Sequence, residues 1–204
     1  MALLISQFEG AAANELLGYA SAIDGGTRAI VGTNNGKAYI LDKNGGTWSI
    51  AATLTGSAEE YYGWVVAISG DRAVVSAQNK GQGSMFIYER DATSGVWSQA
   101  AEIAPSNGYY GYARSCAIHG DVIIAASTFM AHVIERDAQG TWSIASSITV
   151  DETYANFGDC IAFDGTRIAV GSHFGYDANG QPVTTGKVLL YEKVDGVWTL
   201  ITVL

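Results

Sequence analysis

Residues able to do chemistry are few and scattered in this sequence. The three histidines, His119, His132 and His173, stand far apart, and only His173 has acids within the reach of neighbouring loops. An acid/base pair for glycan cleavage could be drawn from His173, Asp177, Asp151 and Glu152, but no spacing rule singles them out. Cys116 and Cys160 lack the Cys-x-x-Cys spacing of zinc or redox sites and read as two small buried hydrophobes. There is no Gly-x-Ser-x-Gly elbow, phosphate loop, nucleotide fingerprint or zinc signature. The one echo of a calcium loop runs from Asp177 through Asn179 and Gly180 to Gln181. It lacks the further carboxylates that a site of about six to eight oxygens needs, and Asn-Gly is itself a turn signal. No cofactor is expected, and Asp177 and Asn179 are the calcium candidates if that ion is used. Binding is a stronger reading than catalysis.

The chain that must position these residues is 204 long, with 48% hydrophobic residues, 15% charged residues and 25 glycines. It can bury a core, and many glycines beside few charges suit short strands joined by tight turns. A net charge of −9 repels phosphate backbones and anionic membrane surfaces, which argues against nucleic acid as a partner. No apolar run reaches the roughly 18 residues of a membrane span, and no basic region of a signal peptide opens the chain.

Four segments align: Leu17 to Gly25, Tyr62 to Gly70, Tyr112 to Gly120 and Phe157 to Gly165. Measured on Ile23, Ile68, Ile118 and Phe163, they recur at steps of 45, 50 and 45 residues, the length of one four-stranded propeller blade. Each unit reads as a strand, a Gly turn, a second strand, a variable loop and a third strand. The third strand ends in an acid–base pair: Asp42-Lys43, Glu89-Arg90, Glu135-Arg136 or Glu192-Lys193. A fourth strand then opens at Trp48, Trp97, Trp142 or Trp198. The tryptophans read as packing between adjacent sheets and the acid–base pairs as solvated turn flanks.

The expected fold is all-β, a propeller of four four-stranded blades in a single domain spanning 1–204. Its parts are a spare outer strand and linker at 1–17 and repeats at 18–62, 63–112, 113–157 and 158–204. The spare strand follows from spacing. Each Trp precedes the next repeat by 14 or 15 residues, which places residues 3–8 in a fourth-strand position with no first three strands before it. That strand could close a four-bladed ring, belong to a longer array or pair with a second molecule. The closed disc is the favoured expectation.

Phe157-Gly158, followed by Asp159 to Gly165, and Tyr62-Gly63, followed by Trp64 to Gly70, resemble the FG-GAP repeat family of integrin-like propellers. Gly32-Thr33-Asn34, Ser76-Ala77-Gln78, Ala126-Ser127-Thr128 and Gly171-Ser172-His173 resemble its Gly-Ala-Pro part in a form without proline. The resemblance implies a propeller, an extracellular setting, and a glycan or protein ligand rather than a substrate.

In a four-stranded meander the loops after the second and fourth strands emerge on one face. There Tyr61, Tyr109, Tyr110 and Tyr154 would meet Asn34, Asn79, His173, Tyr176 and Asp177. Rings cover the C–H faces of a ligand while amides and carboxylates fix its hydroxyls. Tyr62, Tyr112 and Phe157 read instead as packing between blades. The expected function is a non-catalytic, lectin-like or adhesion-type binding module for a glycan or peptide. The alternatives are an assembly module, monomeric or a strand-exchanged homo-oligomer, that uses its N-terminal strand, and a glycan-active hydrolase.

Overall fold

The computed structural model describes residues 8–10, 15–105, 112–127, 129–150, 156–173, 175–176, 179, 181–183 and 186–204. Short β-branched and aromatic runs broken by Gly turns fold as strands, and no helix forms among the described residues. Blade 1 is β1 (Ala20–Asp24), β2 (Arg28–Gly32), β3 (Lys37–Asn44) and β4 (Thr47–Thr55). Blade 2 is β5 (Tyr62–Ser69), β6 (Arg72–Ala77), β7 (Ser84–Arg90) and β8 (Trp97–Ile103). Blade 3 is β9 (Ser115–His119), β10 (Val122–Ser127), β11 (Met130–Arg136) and β12 (Trp142–Thr149). Blade 4 is β13 (Phe157–Phe163), β14 (Arg167–Ser172), β17 (Lys187–Val194) and β18 (Val197–Val203). A short hairpin, β15 (Gly175–Tyr176) with β16 (Pro182–Val183), fills the long loop before β17. Every blade is an antiparallel meander in chain order.

The inner strands are apolar without alternation because both faces of a blade are covered. In β6, Ala73 through Ala77 are all buried. Three core clusters result, each straddling two consecutive blades. Ile30 and Ile40 meet Tyr62 and Phe86, then Val74 and Ile87 meet Tyr112 and Ile123, then Ile124 and Val133 meet Phe157 and Ile168. Each such side chain contributes about 1.5–3 kcal/mol by leaving water. Trp97, Trp142 and Trp198 join these clusters, whereas Trp48 of blade 1 belongs to none.

The third and fourth strands share one irregularity. The pairing register slips once in every blade, at Ile40/Leu41, Ile87/Tyr88, Val133/Ile134 and Leu190/Tyr191. The extra residue lies on the outer strand, at Ala51, Ala100, Ala145 and Ile201.

The acid–base pairs do more than flank turns. Glu89 of blade 2 accepts from Arg136 Nε and Nη2 of blade 3 at 2.7 and 3.2 Å, and from Trp142 Nε1 at 2.7 Å. Lys193 reaches back to Glu135 at 3.0 Å, and Arg28 reaches forward to Asp71 at 2.9 Å. The pairs therefore tie blade 2 to blade 3 and blade 3 to blade 4, while at the first joint Asp42 holds Arg28, which makes the crossing. Burial works against the charge on Glu89, but the bonds from Arg136 and Trp142 outweigh it and hold the carboxyl below its ordinary value of 4.5. A depressed carboxyl stabilises the fold in full above its unfolded pKa and loses that contribution as pH falls through the folded one. Glu89→Gln is therefore expected to cost about 1–3 kcal/mol in a urea melt near neutral pH. The gap to the parent should close as pH falls below about 4.5, and a gap that stays constant into acid would contradict this account.

Two expectations need comment. Cys160 is exposed, not buried, because among the described residues no blade covers the face of blade 4 that carries it. Residues 3–7 of the expected ring-closing strand lie outside the described residues. Among the described residues, backbone hydrogen bonds do not join blade 4 to blade 1, and the substantial packing between blades is between consecutive ones.

Candidate functional site

The residue two places after each repeat's aromatic position is Tyr19, Trp64, Arg114 or Asp159. A residue with positive φ precedes each one: Gly18 (φ 91), Gly63 (φ 97), Ala113 (φ 61) and Gly158 (φ 85). That left-handed step turns the chain out of the pleat. In blades 2 and 4 the ladder skips from Tyr62 to Val66 and from Phe157 to Cys160, which frees Trp64 and Asp159 from strand pairing. Bulges of this kind re-aim side chains beside functional sites.

The four positions form two neighbouring groups along the row of first strands. At one end Tyr61 stacks on Trp64 with ring centroids 4.3 Å apart, and Tyr19 tilts against Trp64 at 4.7 Å. Tyr19 and Tyr61 are exposed. The Trp64 indole nitrogen is buried with no acceptor among the described residues. Tyr61 reaches this place through a φ of 55°, a conformation that costs a non-glycine residue about 1–2 kcal/mol. At the other end Asp159 stands between two basic groups, Arg114 Nη2 at 2.7 Å and His173 Nδ1 at 2.5 Å. The Arg114 approach is an ion pair without hydrogen-bond alignment. A ligand crossing this row meets apolar ring surface first and then a charged, hydrogen-bonding end.

The remaining expected site residues are placed as follows. Asn79 ties loops together, its amide donating to the Glu59 carbonyl at 2.9 Å. Asn34 is half-buried in the loop after β2, and Tyr176 lies in β15. Tyr109, Tyr110, Tyr154 and Asp177 lie outside the described residues, and Asn179 is exposed in a turn. Tyr62, Tyr112 and Phe157 are buried between blades.

The histidines do not converge. His132 is buried with Nδ1 2.7 Å from Ser147 Oγ, and burial lowers its pKa, so it is a neutral core residue. His119 meets Phe163 edge-on. Cys160 lines a groove with His173, but no hydrogen bond joins them. Among the described residues, no three acidic, histidine or cysteine side chains are grouped to hold a metal.

Four four-stranded antiparallel sheets, packed face to face through their inner strands, define a protein of the β-propeller type. Within that class the chain carries an FG-GAP repeat, because residues 48–88 match that family's model. The match covers the last strand of blade 1 and the first three of blade 2. The fold is also similar to the crystal structure of a protein from Lactobacillus plantarum, with a TM-score of 0.62 and 16% identity. That similarity covers 90% of this chain and 53% of the other, so this chain spans about half the length of that relative. At such identity it speaks for the fold alone. A search of curated proteins finds no match.

Proposed function

We propose that this chain is a non-catalytic binding module that takes a neutral glycan on the rim formed by Tyr19, Trp64 and Tyr61. The aromatic trio, with Tyr19 and Tyr61 exposed on a half-buried Trp64, carries this reading, because pyranose C–H faces pack on such rings in water. Asp159, with Arg114 and His173 beside it, supplies acceptors and donors for hydroxyls at the other end of the row. A peptide could use the same rings, and glycan and peptide arrays probed side by side separate the two.

A glycan signal is expected, and the double substitution Tyr19→Ala with Tyr61→Ala should weaken binding at least about tenfold, which corresponds to about 1.4 kcal/mol. Asn79→Ala is the control, since its amide is engaged within the fold. Undiminished glycan binding in the double variant would move the site elsewhere, and a signal confined to peptides would replace the ligand class.

A further inference from the structure

The three joints between blades share one construction. At each, the aromatic residue that opens a blade is buried against the blade before it: Tyr62, Tyr112 and Phe157. The small residue after it presses on the preceding blade. A Cβ built on Gly63 would lie 2.4 Å from the Lys37 carbonyl oxygen, and one on Gly158 would lie 2.3 Å from Ala126 Cβ. The preceding blade provides a socket, seen most clearly at Gly32, where an added Cβ would sit 2.0 Å from the Gly63 oxygen.

Both halves of a fourth joint are present, and among the described residues no blade occupies either. Leu17-Gly18 opens blade 1 in the same register, and Gly18 has the same left-handed φ. Nothing lies within 4 Å of the place its Cβ would take. Phe8, Glu15 and Leu17 cover Tyr39 and Leu41 on this face, with the Tyr39 hydroxyl donating to Glu15. Ile23 stays 64% exposed, whereas its counterpart Ile68 is 6% exposed. On the far face of blade 4, Gly171 takes the place of Gly32, and the Cys160 thiol of the same blade, 2.3 Å from where a Cβ would sit, stands where the next blade's backbone presses on Gly32. Val188 stands where Ala38, Met85 and Ala131 are buried, yet it is 38% exposed. Leu204, opposite Val188, is 73% exposed, while Leu54 and Ile148 in the matching place are buried. A groove of about 390 Å³ opens over Gly171, Cys160, Val188 and Leu204.

We infer that a second copy of this chain fills the joint head to tail, with Leu17-Gly18 and Ile23 of one copy entering the groove of the other. The occupant is a second copy because knob and socket are carried by one molecule and repeat an interface it already makes three times. Two copies joined this way use each face once and close around a two-fold axis as eight blades, within the range of about four to eight that propellers adopt.

Light scattering across a wide concentration range should give a dimer. Alkylation provides a second reading on the unsubstituted chain. Cys160 lies in the groove and should be protected in the dimer, while burial pushes the Cys116 thiol up to about 12 and keeps it slow throughout. Ile23→Glu and Val188→Glu should each give a folded monomer with Cys160 freely alkylated. Mixing the two variants should restore a dimer through the one joint that carries neither substitution. A monomer at every concentration with reactive Cys160 overturns the inference. So does a dimer that survives in either variant alone, or a mixture that stays monomeric.

Discussion

Gly32→Ala is expected to lower stability by about 3 kcal/mol or more, read as the loss of unfolding free energy in a urea titration. The added methyl would sit 2.0 Å from the Gly63 carbonyl oxygen and 3.2 Å from Val66 Cγ1. Neither blade can yield there, because Gly63 is itself wedged against the Thr33 and Lys37 carbonyls and buried side chains flank it. Strain of this kind is relieved only by moving blade 2 away from blade 1, which gives up packing along the whole joint. Gly70→Ala separates crowding from backbone preference. Gly70 has a φ of 56°, but nothing lies within 4 Å of the added methyl. Its cost should be only the about 1–2 kcal/mol of a left-handed alanine. Equal costs at both positions would show that the close approach of the two blades is not what holds Gly32.

Phe157→Ala is expected to cost about 3–5 kcal/mol, the range for emptying a large, fully buried aromatic site. Phe157 is buried at the third joint beside Ile124, Val133 and Leu189, which are held by two different sheets and cannot collapse into the space. Leu17→Ala at the matching position of blade 1 should cost only about 1 kcal/mol in dilute solution. Leu17 is half-buried against Val31 and Leu41 of its own blade, and its joint has no preceding blade. Differential scanning calorimetry and urea melts on both variants test the contrast. A loss at Leu17 as large as at Phe157 would mean that blade 1 is packed from a side the structure leaves open.

Much of the fold is written in the sequence because a blade's needs recur. One Gly turn and one Trp per repeat are local demands met four times, and an aromatic before a small residue is met three times with Leu17 in the first repeat, so Tyr62, Tyr112 and Phe157 could be read as packing residues from their spacing. The acid–base pairs show where legibility stops. Their position at a strand end is visible in the sequence, but that Arg136 reaches back to Glu89 depends on how two sheets sit against each other. Cys160 was misread for the same reason. Its burial depends on a neighbouring blade, not on its own strand, and only Cys116 has one.

The candidate site was legible in part. Loop tyrosines were expected to present rings to solvent, and Tyr61 has an exposed ring. Its partners Tyr19 and Trp64 were passed over because they sit inside segments that looked like repeated framework. The clue was a varying column, Tyr19, Trp64, Arg114 and Asp159, within a motif whose alanine three places on and glycine six places on are the same in all four repeats. A repeat position that changes type while its neighbours are held is free of the packing that fixes them.

The slipped register between third and fourth strands has a consequence for how this chain behaves in concentrated solution. A fourth strand on the outside of each blade offers an unpaired hydrogen-bonding edge, and four such edges would ordinarily invite sheet-to-sheet growth into fibrils. The extra residue at Ala51, Ala100, Ala145 and Ile201 kinks each of those edges midway, so none offers a long straight row of donors and acceptors to an incoming strand. The same small defect, made four times, works against strand-by-strand growth along the rim.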